Sequence, residues 1–303
     1  MKTHSTHMEK EKILLDTDIG SDVDDAVCLA YLLRQPRCEL VGITTVSGEP
    51  FERAKLASML CIAAGQPDIP IYPGTARPLL TRPRQQGAAQ KAVLSKYPHR
   101  TEFPLGQHID FMRKVIRENP GEITLLAIGP MTNVALLFAV DPEIPKLLKR
   151  LVLMCGAFLP SRPHAAVEWN AVCDPYACAM TYNAPVPEHV SVGLDVTLQV
   201  TMPAEQVREE FKYDILPIVR DMAEVWFEKI HTMTFHDPLT AVSLFCPEVC
   251  KMTRGTVEVE IQGDRARGLT YWKATEEGAH QIATSVDAKA FFKEYFSVFH
   301  QGE

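Results

Sequence analysis

Short apolar runs rich in Ile, Val and Leu alternate along the chain with longer segments whose apolar residues recur at helical spacing. The runs predict strands and the longer segments predict amphipathic helices. The predicted strands are Ile13–Leu15, Leu40–Val46, Ile69–Tyr72, Ile123–Ile128, Leu151–Cys155 and Val190–Leu194. The predicted helices are Asp25–Arg34, Phe51–Ala64, Ile109–Glu118, Asn133–Val140 and Pro175–Tyr182. Because strands alternate with helices and are apolar on both faces, we expect an open, mostly parallel, Rossmann-like α/β sheet with helices on both faces.

The pattern changes in the last third of the chain. From Pro203 to Phe245 it is mainly helical, with a long helix predicted from Asp214 to about Ile230. Three later runs predict a small C-terminal antiparallel elaboration, followed by a helix from Asp287; they are Thr256–Ile261, Leu269–Trp272 and Gln281–Ser285. No linker or repeat interrupts the pattern, so we expect one domain over residues 12–303 after a flexible tail of residues 1–11.

Composition narrows the classes of partner. The 303 residues are 46% hydrophobic and carry a net charge of −7, so the chain has no basic field for nucleic acid or an anionic membrane. The uncharged stretch Ile123–Val140 is broken by Gly129-Pro130 and does not predict a membrane span. Eight cysteines without a CxxC pair indicate reduced thiols, and the polar start lacks a signal peptide. We therefore predict a cytoplasmic protein with a small-molecule substrate.

The strongest chemical signal is a cluster of five aspartates in the ten residues after the first predicted strand. They are Asp16, Asp18, Asp22, Asp24 and Asp25. Carboxylates this close repel one another unless a cation joins them, and they match the oxygen ligands of Ca²⁺ or Mg²⁺. Helix N-capping would explain one or two of them. An EF-hand does not fit, because the sixth loop position is Ser21 and the twelfth is Val27.

Two alternative function classes are compatible with this cluster. A D-x-D pair after the first strand is also typical of haloacid dehalogenase-type Mg²⁺-dependent phosphohydrolases, with Asp16 as nucleophile and Asp18 as acid/base. A non-catalytic protein that binds ribose or a nucleoside is a second alternative. A dinucleotide enzyme is disfavoured, because the chain contains neither a G-x-G motif nor a P-loop.

Four sequence blocks, in order, resemble the nucleoside hydrolase family, the inosine-uridine-preferring N-ribohydrolases. They are DTDIGSDVDDA (16–26), GPMTNVALLFAVDPEIPKLLKRLVLMCGAF (129–158), EWNAVCDPYA (168–177) and FHDPLTAV (235–242). The resemblance implies the nucleoside hydrolase fold, a homodimer or homotetramer, and Ca²⁺-dependent hydrolysis of ribonucleosides to ribose and a free nucleobase. Such a reaction passes through an oxocarbenium-like transition state, which nearby carboxylates stabilise.

The resemblance also implies a metal and catalytic set. Asp18, Asp25 and Asp237 match the side-chain ligands of Ca²⁺, and Ile128 matches a backbone carbonyl ligand. Asp18 matches the general base that activates a metal-bound water, and His236 matches the residue that assists base departure. Alone, Asp237-Pro238 would be read as a helix start with Asp237 as its N-cap.

Four further residues are candidates for contacts with ribose. By the same resemblance, Asp24 would accept the 2′-hydroxyl hydrogen bond, Asn170 would contact the 3′-hydroxyl and Glu168 the 5′-hydroxyl. Glu49 replaces an Asn common in the family and would contact ribose or water differently. Asn170 could alternatively satisfy backbone groups of a loop.

The chain departs from the family pattern where a lid over the nucleobase is expected. The region 80–87 lacks the His-Gly-rich loop, and residues 160–164 before Glu168 are unusual. The preference for purine or pyrimidine therefore stays open at this point.

Overall fold

The computed structural model describes residues 10–85, 87–159 and 167–299. The strands are β1 (Glu11–Thr17), β2 (Cys38–Thr45), β3 (Ile71–Pro73), β4 (Ile123–Ala127), β5 (Arg150–Met154), β6 (His189–Val192), β7 (Thr201–Pro203), β8 (Thr232–Thr234), β9 (Cys250–Val259), β10 (Thr270–Ala274) and β11 (His280–Val286). The α-helices are α1 (Asp24–Arg34), α2 (Pro50–Ala63), α3 (His108–Glu118), α4 (Thr132–Val140), α5 (Ile144–Leu147), α6 (Trp169–Cys173), α7 (Pro175–Tyr182), α8 (Leu194–Thr197), α9 (Ala204–Glu210), α10 (Leu216–Phe227), α11 (His236–Phe245) and α12 (Ala288–Ser297). Two 3₁₀ helices lie at Ala89–Lys96 and Pro247–Val249.

Nine of the described strands form one sheet in the order β10-β9-β11-β6-β5-β4-β1-β2-β3. The first six along the chain are parallel, and they run outward from β1 to β3 before returning to β4 on the other side of β1. The strand order therefore reverses between β1 and β4. Open α/β sheets bind ligands in the crevice beyond the carboxyl ends of such a pair.

Alternation within β1 explains how the sheet acquires two apolar layers. Ile13 and Leu15 belong to one buried hydrophobic cluster, and Leu14 belongs to the cluster on the opposite face. Successive side chains of a strand point to opposite faces, so an uninterrupted apolar run serves both layers. The predicted mostly parallel sheet with helices on both faces is confirmed.

The C-terminal strands differ in placement from the prediction. The antiparallel pairs β9–β10 and β9–β11 exist, but β11 also pairs in parallel with β6, so they extend the main sheet. The short antiparallel pair β7–β8, inside the segment predicted as mainly helical, was not predicted. Its strands have three residues each, too short to show an alternating pattern.

Several boundary predictions can be compared directly. The first strand begins at Glu11, one residue before the predicted domain start, and its backbone bonds Arg37. Residues 1–9 of the predicted tail lie outside the described residues. All eight cysteines are free thiols. Among the helices that the structure describes, none is both long and apolar enough to cross a membrane.

A buried polar network joins the carboxyl ends of β1 and β2 to α4. The Nδ2 of Asn133 donates to the Oδ1 of Asp16 at 2.7 Å and to the carbonyl of Thr45 at 3.1 Å. Its Oδ1 accepts from the amide of Thr75 at 3.0 Å, and Thr44 donates its hydroxyl to Asp16. Desolvation raises the pKa of Asp16 to about 7. The network therefore fixes the ends of β1 and β2, from which the next loops leave.

We expect Asn133→Ala to lower the free energy of unfolding by about 3 kcal/mol, because it removes one donor from buried Asp16 and one from the Thr45 carbonyl and leaves the amide of Thr75 without its side-chain acceptor. Urea denaturation measures the change. Asn183→Ala, which truncates an exposed Asn on the same protein, is the control and should cost about 0.5 kcal/mol or less. Equal losses in the two variants would contradict the structural role of the network.

Candidate active site

A cavity of about 460 Å³ opens beyond the carboxyl ends of β1 and β4. Its acidic wall comes from both ends of the chain, and the members are Asp18, Asp22, Asp24, Asp25 and Asp237. The other sequence-predicted residues that line it are Ile128, Glu168, Asn170 and His236. Separate strands and helices thus bring these side chains together at the point where the strand order reverses.

The loop after β1 takes its shape from a buried arginine. Arg53 of α2 is fully buried, and its guanidinium donates to the carbonyls of Asp18 and Ile19 and to the hydroxyl of Ser21. Gly20 has a φ of +115°, which favours glycine, and a Cβ there would lie 2.6 Å from the Leu56 side chain. The loop can therefore turn tightly while the guanidinium of Arg53 satisfies its carbonyl groups.

The Gly-Pro block that follows β4 is explained by close approach to Asp18. A Cβ on Gly129 would lie 2.8 Å from the Oδ1 of Asp18 and 2.8 Å from Val46. Such distances leave no space for a side chain. Glycine at this position lets the β4 loop pass directly beside the acidic wall.

Three buried carboxylates converge within the cavity. Oxygens of Asp24, Asp25 and Asp237 all lie within 4.8 Å of one another. Burial, together with repulsion from the neighbouring carboxylates, raises the pKa of each of the three well above its usual value. The hydroxyl of Thr17 and the amide of Asp18 donate to the Oδ1 of Asp25. A hard divalent cation matches this donor set and would remove the repulsion.

This grouping differs in detail from the sequence-based set. Asp25 and Asp237, expected as metal ligands, lie together, and Asp24, expected at the ribose, joins them. Asp18 lines the same cavity, and burial raises its pKa. The amide of Asp237 donates to the Oδ2 of Asp24 at 3.2 Å, so α11 and α1 meet here.

The carbonyl of Ile128 faces Asn170. The Nδ2 of Asn170 donates to the carbonyls of Ile128 at 2.8 Å and Met154 at 3.1 Å. Asn170 therefore does satisfy backbone groups, and it also lines the cavity. Glu168 caps α6, with its carboxylate accepting from the amides of Asn170 at 2.6 Å and Ala171 at 2.9 Å.

His236 stands at the start of α11. The helix begins at His236, and Phe235 occupies the cap position without a side-chain bond, so Asp237 is not the N-cap. The Nδ1 of His236 lies 2.7 Å from the hydroxyl of Thr197. Burial lowers the pKa of His236 to about 4. The helix-cap alternative for Asp237 is therefore wrong, and its carboxylate is available to the acidic wall.

Two sequence-predicted residues lie away from the cavity. Glu49 does not line it; its carboxylate instead accepts from the amide of Ala88 at 3.0 Å and pairs with Lys91 at 2.6 Å. Glu49 is therefore not the ribose contact that was expected, because its carboxylate is neutralised by Lys91. Asp16 is fully buried beneath the loop and bonded to Asn133, so it is not exposed as a nucleophile.

Other lining residues were not predicted. The apolar side of the cavity includes Trp169, Trp226 and Leu194, and the loop before the first 3₁₀ helix adds Arg84 and Gln85. Trp169 is half exposed and follows Glu168 directly, so its sequence position was a usable signal. Trp226 lies at the end of α10, where helical periodicity alone suggests a core residue. The unusual residues 160–164 lie outside the described residues.

The sequence matches a known family along most of its length. The family model described as inosine-uridine preferring nucleoside hydrolase matches residues 13–293. An uncharacterized protein of Schizosaccharomyces pombe is 33% identical over 279 residues, covering 86% of this chain and 88% of that protein. Uridine nucleosidase 1 of Arabidopsis thaliana is 29% identical over 269 residues, covering 84% of this chain and 79% of that protein.

Solved structures agree with this fold. The purine-preferring ribonucleoside hydrolase from Gardnerella vaginalis superposes with a TM-score of 0.80 at 23% identity, covering 95% of this chain and 98% of that one. A plant nucleoside hydrolase superposes with a TM-score of 0.81 at 24% identity, covering 96% and 99%. At these identities the likeness confirms the predicted fold.

A divalent cation should stabilise the protein through the three converging carboxylates. At a hundred times its Kd, a bound cation adds about 2.7 kcal/mol to the free energy of unfolding. We expect Asp237→Asn to lose this increment, yet to be at least as stable as the parent in EDTA, because one repelling charge is gone. Thermal unfolding with CaCl₂ and with EDTA measures both effects.

The control for this experiment is Asp68→Asn, the same carboxylate-to-amide change at an exposed position. It should keep the full cation-dependent increase in Tm. An equal increase in Asp237→Asn would show that the cation binds elsewhere.

Proposed function

The chain belongs to the inosine-uridine preferring nucleoside hydrolase family, and on this premise we propose that it uses Ca²⁺ and Asp18 to hydrolyse ribonucleosides to ribose and a free nucleobase. Membership makes it a hydrolase of N-glycosyl bonds, as the names of its relatives indicate. The observation that carries the finer proposal is the buried trio Asp24, Asp25 and Asp237 beside Asp18 in one cavity.

The donor set fits Ca²⁺. Asp18, Asp25, Asp237 and the carbonyl of Ile128 would hold the ion, a set of oxygens that suits a hard cation with flexible coordination. When bound, the ion supplies positive charge that orients the ribose diol and makes a water easier to deprotonate. Asp24 lies within the same group of carboxylates, and we assign to it the hydrogen bond from the ribose 2′-hydroxyl.

The bond-breaking step assigns a role to Asp18. Water attacks the anomeric carbon, its proton passes to the Asp18 carboxylate, and the electron pair of the N-glycosidic bond leaves with the base. Positive charge develops on the ribose ring as this bond lengthens. Carboxylates such as Asp22 and Asp24, which line the same cavity, stabilise that charge.

His236 acts on the departing base. When the Thr197 hydroxyl donates to Nδ1, the neutral imidazole keeps its proton on Nε2. That N–H can donate a hydrogen bond to the base as negative charge develops on it. The low pKa of the buried ring is consistent with this neutral form.

Ribose recognition uses the groups that backbone contacts leave free. Asn170 spends its Nδ2 on two carbonyls, which leaves Oδ1 to accept from the 3′-hydroxyl. The oxygens of Glu168 accept backbone amides and keep further lone pairs for the 5′-hydroxyl.

The homodimer or homotetramer and the cytoplasmic location stay predictions.

The two alternative functions are less well supported. A phosphohydrolase needs a nucleophilic Asp16 in contact with substrate, but Asp16 is buried outside the cavity lining. A non-catalytic nucleoside-binding protein would share the cavity, so turnover separates it from an enzyme.

The reaction is tested by assaying ribose release from inosine, uridine, adenosine and cytidine. We expect at least one of them to be cleaved in the presence of Ca²⁺, and Asp18→Asn to lower kcat by about a hundredfold or more, because the amide cannot accept the proton. Asp68→Asn, exposed and remote in sequence, should retain the parent rate. No reducing sugar from any of the four would contradict the proposal, and an active Asp18→Asn would remove the assigned base.

Recognition of the 2′-hydroxyl predicts discrimination against deoxyribose. For the best ribonucleoside, we expect the 2′-deoxy analogue to lose on the order of 10⁴-fold in kcat/KM, because Asp24 would be left unpaired in the site. Asp24→Ala should slow the ribonucleoside and narrow this ratio. An unchanged ratio in that variant would show that another group reads the 2′-hydroxyl.

A further inference from the structure

The carboxylate of Glu168 is held by backbone amides from two separate segments. Two of the donors, the amides of Asn170 and Ala171, belong to α6, which Glu168 caps. A third donor is the amide of Gly156 in the loop after β5, which lies 3.3 Å from the Oε2 of Glu168. Because Glu168 is buried and lines the cavity, these amides set the direction in which its remaining lone pairs point.

The turn between β9 and β10 packs against the first of these segments, α6. The amide of Gly268 donates to the carbonyl of Glu260 at 2.8 Å, and the amide of Glu260 donates to the carbonyl of Leu269 at 2.8 Å. A Cβ on Gly268 would lie 3.0 Å from the carbonyl oxygen of Ala171 and 3.0 Å from the Cα of Val172. The backbone of the turn therefore lies directly against the backbone of α6.

Thr270, the first residue of β10, joins the same hairpin to the second segment. Its hydroxyl accepts from the amide of Ala157 at 2.9 Å and donates to the carbonyl of Ala157 at 3.0 Å. Further along β10, the ring of Trp272 packs edge to face on that of Phe158, with centroids 6.4 Å apart. Because Ala157 directly follows Gly156, these contacts fix the loop that presents the Gly156 amide to Glu168.

The opposite side of the Gly156 loop is held by α8. The amide of Leu194 donates to the carbonyl of Gly156 at 2.9 Å, and a Cβ on Gly193 would lie 2.6 Å from the same carbonyl oxygen. The loop is thus fixed between α8 and the β9–β10 hairpin. Thr270 is buried, so removing its hydroxyl leaves the amide of Ala157 without this partner and releases one side of the loop.

We propose that Thr270 is a positioning residue for Glu168, and that the β9–β10 hairpin thereby sets how strongly the site selects the ribose 5′-hydroxyl. The inference rests on the proposed function, in which Glu168 accepts the hydrogen bond of that hydroxyl. It gives the C-terminal strands, which follow the last of the four family-like sequence blocks, a task at the cavity.

The central experiment compares kcat/KM for the best ribonucleoside with kcat/KM for its 5′-deoxy analogue, both with Ca²⁺ present. We expect the parent to prefer the ribonucleoside by about a hundredfold, because the analogue cannot donate to the buried carboxylate of Glu168. Thr270→Val keeps the shape of the side chain but removes the hydroxyl, and it should reduce this preference to about tenfold by misplacing the carboxylate. For the 5′-deoxy analogue, kcat/KM should stay within about threefold of the parent.

The preference is a ratio measured on one preparation, so it does not depend on the fraction of the variant that is folded. A role of Thr270 in stability alone would lower both activities together and leave the ratio unchanged. That result would overturn the proposal.

Two further variants serve as controls. Thr270→Ser keeps the hydroxyl and should retain the preference of the parent. Thr253→Val is the matched change on β9 of the same hairpin, where the hydroxyl bonds that of Thr284 at 3.0 Å and does not line the cavity. An equal reduction in Thr253→Val would point to general loosening of the hairpin, and a loss in Thr270→Ser as large as in Thr270→Val would remove the hydroxyl from the argument; either result contradicts the proposed role.

A double-mutant cycle tests whether Thr270 acts through Glu168. Glu168→Ala should abolish the preference for the 5′-hydroxyl. Thr270→Val lowers kcat/KM for the ribonucleoside about tenfold in the parent, and we expect no further loss when it is added to Glu168→Ala. Additive losses would show that Thr270 acts by another route.

The parent protein separates failure of this inference from failure of the proposed function. If the parent releases no ribose from any nucleoside, the proposed function fails and the role of Thr270 fails with it. If the parent is active and Thr270→Val retains the full preference for the 5′-hydroxyl, only the positioning role is overturned.

Discussion

Repulsion between carboxylates that are buried together is the constraint on which the rest of this structure depends. Asp24, Asp25 and Asp237 converge within 4.8 Å in a site largely removed from water, where each charge raises the cost of the next. The stabilising free energy that holds the three carboxylates in place must come from elsewhere in the molecule. It comes from the two apolar layers that cover the parallel sheet on either face.

Neutral hydrogen-bond donors and the buried guanidinium of Arg53 hold the loops that carry the acidic wall. Arg53 satisfies the carbonyls of the loop after β1, and Asn133 ties Asp16 to the end of β2. Gly129 lets the loop after β4 approach Asp18 closely. These contacts fix the backbone of the loops around the cavity. The carboxylates of the acidic wall are then left available for a cation and for substrate.

The cavity combines family features with features of this chain. Its acidic wall, with Asn170 and His236, lies in the blocks that resemble nucleoside hydrolases, and the sheet topology brings these residues to the reversal between β1 and β4. Arg84, Gln85, the Glu49–Lys91 ion pair and Trp226 lie outside those blocks, whereas Trp169 lies within the third block.

Local periodicity in the sequence predicts the parallel sheet and the helices around it, and the run of aspartates after the first strand identifies the acidic cluster. Motif resemblance added Asp237 and His236, which lie far from that run in sequence. Only the tertiary structure decided that Asp24 joins Asp25 and Asp237, that Glu49 turns to Lys91, and that Gln85 lines the cavity. Side-chain direction and the packing of distant loops decide these contacts, and neither is encoded in the spacing of residues along the chain.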